Sequence, residues 1–286
     1  HCAELMRLIW DDERPASLVI NYFFRARKYL GARDRSFIAE TVYHALRNRR
    51  RLEWLAERFL ERHGETLAPT PEARAFLVFL VSLFEDPDPE QRAALAQAVA
   101  ERDEIPDGAR FFQKITGFLD HPESLPWPDD LLRKMAIETS LPDWLVERMV
   151  AMLGADEARA LAGALNRAAP VMLRVNPMKA PRAAVQAALE AEGFASEPTP
   201  YSPCGLVLAG RGNVFPTDAF QRGWFEVQDE ASQIVSLCVD PRPGAKVLDA
   251  CAGGGGKTLH MSALMKGRGE ILAMDIHKRR LDSLRD

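Results

Sequence analysis

The chain has 286 residues, 47% of them apolar, with 37 Lys and Arg against 41 Asp and Glu; that length and apolar content can bury two or three cores, which excludes a disordered tail. The formal charge of −4 points away from nucleic acid, but eleven of the basic residues lie in 21–62 against five acidic ones, so a local basic surface coexists with the negative total. No uncharged apolar run approaches the roughly 18 residues of a membrane span, and 1–10 lacks the basic start and apolar middle of a secretory signal, so a soluble cytoplasmic protein is the default.

His1 stands where an initiator methionine would, so a trimmed start is expected. The first half reads as helices: 16–29, 35–61, 71–84 and 90–100 place apolar residues at three- and four-residue spacings between charged ones. Pro69, Pro71, Pro87 and Pro89 fall at plausible helix boundaries, and the proline-rich stretch 121–130 reads as a loop. A second helical section takes in 131–138, 142–153 and 155–166. There Ser140 is expected to cap the middle helix ahead of Pro142, and Gly154 to end it. After Pro170 the character changes. A strand over 171–176, a helix over 182–192 stopped by Gly193 and a short strand over 205–208 predict a small mixed α/β module. Asp229 can cap a helix running through Val239, with Glu230 in its first turn, and Pro241, Pro243 and Gly244 close it.

The sharpest local signal follows. A short strand over 245–250 leads into Cys251-Ala-Gly-Gly-Gly-Gly-Lys-Thr258 and a helix to about Met265, then a second strand over 270–275 that ends in Asp275. This is a β-α-β unit of a doubly wound parallel sheet. Glycines permit close backbone approach, and the helix N-terminal amides face the ligand. Asp275, nineteen residues beyond Gly256, is placed to accept hydrogen bonds from both ribose hydroxyls of an adenosine-containing cofactor. Three readings stay open on pattern alone: S-adenosylmethionine, a dinucleotide, or a phosphate or merely structural loop. A phosphate loop needs a glycine where Cys251 stands, and a dinucleotide site favours spaced rather than consecutive glycines. Cys2, Cys204, Cys238 and Cys251 show no CxxC pairing or regular spacing, so neither zinc nor a disulfide framework is indicated.

Val247 to Thr258 resembles the cofactor motif of the bacterial Fmu/Sun family, 16S ribosomal RNA cytosine-5 methyltransferases related to the nucleolar NOL1/NOP2/Sun proteins. The stretch 33–50 is similar to their NusB-like helical domain, and Leu141-Pro-Asp-Trp-Leu145, Leu173-Arg-Val-Asn-Pro177 and 223–233 resemble successive markers on the way into their catalytic domain. The family loop commonly reads C-A-x-P-G-G-K, whereas Gly254 stands here at the proline position, which loosens the loop without deleting a ligand donor.

The resemblance implies a multidomain protein: an all-α NusB-like RNA-binding domain over 1–127, a helical connector over 128–169, a small α/β RNA-binding module over 170–240, and the start of a Rossmann-like class I methyltransferase domain over 241–286. It implies S-adenosylmethionine as cofactor, no metal, and contacts from Cys251, Ala252, Gly253, Gly254, Gly255, Gly256, Lys257 and Asp275. RNA is the implied partner, small-subunit ribosomal RNA the favoured one, and a monomer the default. Arg47, Arg49, Arg50 and Arg51 are candidate phosphate contacts, although such a run spreads around a helix and equally reads as a solvated surface. Arg174 and Asn176 are candidates for RNA-facing support. Trp54 reads as helix packing, Cys251 as a small thiol beside the ligand, Asp249 as an organiser of loop amides, and Thr258 as a helix-start residue.

The implied reaction methylates cytosine C5 after a cysteine thiolate adds at C6 of an extruded base. Family enzymes carry Asp-Ala-Pro-Cys-like and Thr-Cys-Ser-like loops farther along. Neither occurs before Asp286, none of the four cysteines is a credible substitute, and no catalytic residue is assigned in 1–286. The natural protein is therefore expected to continue for on the order of 100 residues or more. The rival readings are a noncatalytic RNA-binding or ribosome-assembly protein, and a methyltransferase acting on another RNA atom or on protein.

Overall fold

The spacing of apolar residues in the first half builds helices with one buried stripe each. A computed structural model describes residues 1–64, 70–84, 108–121, 124–210 and 212–285, which divide into units 1–168 and 169–286. The first unit holds α1 (Cys2–Trp10), α2 (Ala16–Ala26), α3 (Ala32–Arg47), α4 (Arg49–His63), α5 (Pro71–Phe84) and α6 (Gly108–Leu119). Leu5, Met6, Phe23, Val42, Leu52, Phe59, Val78 and Ile115 share its core. The predicted helix over 90–100 lies outside the described residues.

The expected single helix over 35–61 is two. Asn48 adopts φ −105°, ψ 16°, and its side-chain amide donates to the His44 carbonyl at 3.1 Å, ending α3 where α4 begins. Trp54 of α4 stacks on Trp127 with centroids 4.2 Å apart, the packing role its position suggested.

Helices α7 (Leu131–Glu138), α8 (Asp143–Leu153) and α9 (Ala155–Leu165) enclose a second small core of Met135, Ala136, Val146, Met149, Ala158 and Ala162. Asp130 caps α7 by accepting from the Arg133 amide at 2.6 Å, and Gly154, at φ +82°, ends α8 as expected. Ser140 does not cap α8. Its backbone is left-handed at φ +54°, Pro142 takes the cap position, and its hydroxyl instead accepts from the Arg51 amide in the first turn of α4 at 3.0 Å.

The second unit opens with β1 (Met172–Val175), α10 (Arg182–Ala191), β2 (Ser196–Pro198), β3 (Gly205–Leu208), α11 (Asp218–Gln221) and β4 (Phe225–Val227). The strands form one antiparallel sheet in the order β2-β3-β1-β4. A β-α-β-β-α-β chain in that order is the ferredoxin-like plan. Strands β2 and β4 have three residues each, too short to register as alternation. Leu173, Val175, Val185, Leu189, Leu206 and Phe225 form its core.

Then come α12 (Glu230–Val239), β5 (Lys246–Asp249), α13 (Gly256–Leu264), β6 (Glu270–Ala273) and α14 (Lys278–Arg285). Asp229 caps α12 as expected, accepting from the Ala231 amide at 2.9 Å. β5 and β6 pair in parallel, Lys246 opposite Glu270 and Asp249 opposite Ala273, and Asp275 lies two residues past the strand rather than closing it. Among the described residues no helix is long and apolar enough to cross a membrane.

Candidate cofactor site

Strand β5 delivers Asp249 into the turn, where its carboxylate is buried and used twice. Oδ1 accepts from the Cys251 amide at 3.3 Å, and Oδ2 accepts from the Thr258 hydroxyl at 2.7 Å. Asp249 therefore organises the loop. The Thr258 hydroxyl is turned back into the protein, onto Asp249.

Gly255 is the left-handed N-cap of α13, with φ +91°. That conformation favours glycine, and a Cβ there would also lie 2.1 Å from Cδ1 of Leu284, which would have to shift.

Asp275 closes the turn from the other side. Its Oδ2 accepts from the Gly253 amide at 2.9 Å and its Oδ1 from the His277 amide at 2.8 Å. The His277 amide, then that of Gly253 against a partly opposing loss of solvation, hold the carboxyl below the usual carboxylate range. One oxygen pair is thus left with lone pairs beside an open cavity of about 570 Å³. Cys251, Ala252, Gly253, Gly254, Gly256, Lys257 and Asp275 all line it, joined by Gln228, Ser232, Ile276, His277 and Arg280. Gly255, the remaining expected contact, does not line the cavity because it packs behind the turn against Leu284. The volume suits a nucleoside-sized ligand. Among the described residues no group of His, Cys, Asp or Glu is placed to hold a metal ion.

The candidate RNA residues are placed differently from expectation. Arg174 is buried at 4% exposure, and its Nη1 donates to Oε1 of Gln228 at 2.8 Å and to the Gly256 carbonyl. It faces the turn, not a surface, because β1 alternates its side chains and Arg174 points away from the solvated edge. Asn176 is spent on its own turn, its Oδ1 accepting from the Met178 amide at 3.1 Å. Arg49 pairs with Glu53 at 2.9 Å and lies over the Trp10 ring. Arg50 donates to the Leu141 carbonyl and to Asp143, both at 2.7 Å. Arg47 and Arg51 are half-buried. The run wraps around the junction of α3 and α4, so it is not an open basic face.

Gln228 and Gln233 lie in the marker stretch 223–233, but that resemblance gave neither of them a role. Gln233 is fully buried, donating to the carbonyls of Leu173 and Gln228 at 3.2 and 2.9 Å and accepting from the Ser202 hydroxyl at 2.6 Å. Glu230 accepts from the amides of Tyr201 and Ser202, both at 2.8 Å. The segment 228–233 thus ties the antiparallel sheet to the glycine turn, a chemistry readable only with both partners in hand.

A helical region followed by a mixed α/β region, with a parallel strand pair, a glycine turn and a strand-end carboxylate, is consistent with a class-I-like methyltransferase fold. Residues 141–215 match the family model described as the RsmF/B-like methyltransferase ferredoxin-like domain, and residues 236–286 match the 16S rRNA methyltransferase RsmB/F model. The chain is 30% identical over 263 residues to a probable ribosomal RNA small subunit methyltransferase B of Bacillus subtilis, covering 90% of this chain and 58% of that protein. A protein of the same description in Synechocystis is 36% identical over 146 residues, 51% of this chain and 33% of its own length. Among solved structures, that of PH0851 superposes with a TM-score of 0.68 at 28% identity, covering 99% of this chain and 64% of the other. A methyltransferase homologue from Pyrococcus horikoshii gives 0.50 at 26% identity over 55% of this chain and 52% of its own. The chain therefore spans less than two thirds of the length of these relatives. The resemblance read from the motifs is borne out: the chain carries the signatures of the RsmB/F methyltransferase family in chain order.

Proposed function

We propose that the protein carrying this chain transfers a methyl group from S-adenosylmethionine to C5 of a cytosine in RNA, with 16S ribosomal RNA as substrate. The observation that carries the reading is the hydrogen bond from the Gly253 amide to Asp275 at the wall of a cavity lined by the turn, in a chain that matches the RsmB/F model over the same residues.

The cofactor, when bound, supplies an electrophilic methyl on its sulfonium. The free lone pairs of the Asp275 carboxylate would accept from ribose hydroxyls, and the amides that open α13 would face the carboxylate end of the ligand. Lys257 supports that end by charge. Gly254 and Gly256 let the ligand approach the backbone, and Cys251 is a small neighbour. Cys251 is not assigned as nucleophile, and neither are Cys2 and Cys204: burial pushes the Cys2 thiol up to about 11 and raises that of Cys204, whereas the reaction needs a thiolate.

The division into 1–127, 128–169, 170–240 and 241–286 belongs to this reading, with the helical region NusB-like and RNA-binding, and the whole a cytoplasmic monomer. With Arg174 and Asn176 engaged internally, RNA contact falls to other residues of 1–127 and of the module 170–240. The test uses the complete natural protein, labelled S-adenosylmethionine and small-subunit RNA bearing hydrogen or fluorine at cytosine C5. Label transfer to the first and a trapped covalent complex with the second support the reading. Cofactor binding with neither outcome transfers the assignment to another substrate or to a noncatalytic assembly role.

A further inference from the structure

Strand β1 alternates its side chains across the sheet. Leu173 and Val175 enter the ferredoxin-like core, and Arg174 points to the opposite face. Its cross-strand neighbours are Gly205 and Glu226. Burying a guanidinium costs free energy unless its donors are used. Here they go to Gln228 and to the carbonyl of Gly256, the first residue of α13. A Cβ on Gly256 would sit 3.2 Å from Nε2 of Gln228, so the glutamine side chain lies against the backbone of the turn. Gln233 holds Gln228 in turn through its carbonyl at 2.9 Å.

A cation at the N-terminus of a helix opposes the helix dipole. Helix stability therefore does not account for Arg174, whereas the cavity does: both of its partners line that cavity. We infer that Arg174 is a positioning residue of the cofactor turn. By holding the Gly256 carbonyl it fixes the peptide plane that carries the Lys257 amide at the start of α13, so a strand of the antiparallel sheet sets part of the affinity for the cofactor. The inference rests on reading that cavity as the cofactor site.

The test is made in the complete protein with Arg174→Met, which keeps the apolar stem and removes both bonds, and Arg174→Lys, which keeps the charge and a donor. S-adenosylmethionine affinity is measured by calorimetry, RNA affinity by filter binding, and methyl transfer at steady state. Arg174→Met should raise both Kd and KM for the cofactor on the order of tenfold, the effect of one charge-assisted hydrogen bond, with kcat and RNA affinity within about twofold of the parent. Arg174→Lys should recover part of that loss, which a merely structural role would not produce. A folded Arg174→Met protein with parental cofactor affinity overturns the inference, as does one that loses RNA affinity alone, which would make Arg174 an RNA contact. If Arg174→Met does not fold, Arg174→Lys decides, and a parental Kd overturns it. A parent protein that binds no S-adenosylmethionine overturns the reading of the cavity itself, and is recognised before any variant is made.

Discussion

The Asp275 carboxylate accepts the Gly253 amide at 2.9 Å, so the side chain proposed to bind a ribose also closes the turn that would hold the rest of the ligand. Its other oxygen accepts the His277 amide. In Asp275→Asn one of those two amides must face an NH2 group, and the charge near the cavity is lost. Cofactor affinity should fall on the order of tenfold or more, with far-UV circular dichroism unchanged. Because the carboxyl is held below its usual range, affinity in the parent should be level from pH 8 down to pH 5. A calorimetric Kd for Asp275→Asn equal to the parent's would remove Asp275 from the site.

Two neighbouring glycines should respond in opposite directions. Gly255→Ala places a Cβ at φ +91° and 2.1 Å from Leu284, and should cost about 1–3 kcal/mol. Gly254 is not among the left-handed residues, and its amide makes no hydrogen bond among the described residues. Gly254→Pro, the residue common at this place in the resembling family, should be accommodated and stabilise by about 0.4–1 kcal/mol through the unfolded chain. Urea denaturation of both variants checks this, and equal effects would mean that the turn has another conformation.

The glycine turn, the cap at Asp229 and the stop at Gly154 were readable because each is a local event, settled by residues within one turn of chain. Ser140 and Arg174 were misread for the opposite reason. Ser140 has the right chemistry for a cap and a helix starting close by, yet the amide it serves belongs to Arg51, 89 residues earlier. Arg174 was a candidate for RNA-facing support through the family resemblance alone, and its burial depends on a partner 82 residues later. The run from Arg47 to Arg51 read equally as phosphate contacts and as a solvated surface, and the acceptors that Arg50 finds at Leu141 and Asp143 are just as remote in sequence.

That misplacement of Ser140 gives a prediction of its own. The hydroxyl satisfies an N-terminal amide of α4 from the turn between α7 and α8, so Ser140→Ala should destabilise the helical unit by about 1 kcal/mol, as loss of a cap does. Ser140 is also left-handed. Ser140→Gly loses the cap but relieves the backbone, and should therefore cost less than Ser140→Ala. The reverse order in urea midpoints would show that the backbone strain is not borne at this residue.

His260 of α13 is fully buried, with neither ring nitrogen hydrogen-bonded among the described residues, and burial together with the Arg174 charge depresses its pKa to about 4 from 6.5. The folded state therefore holds this ring neutral where the unfolded chain has begun to bind a proton. Stability from this group is fully present above about pH 6.5. It falls as pH drops through the window towards 4, and no further change comes from this group below that. Between pH 7.5 and pH 5 the loss should be about 2 kcal/mol. His260→Leu fills a similar volume without a titrating group, so its urea stability should lack that share of the acid loss, leaving the parent steeper by the stated amount. If the parent and His260→Leu lose stability in parallel over this range, His260 is not held neutral by its surroundings, and the packing of α13 against the Arg174 side chain is looser than its burial indicates.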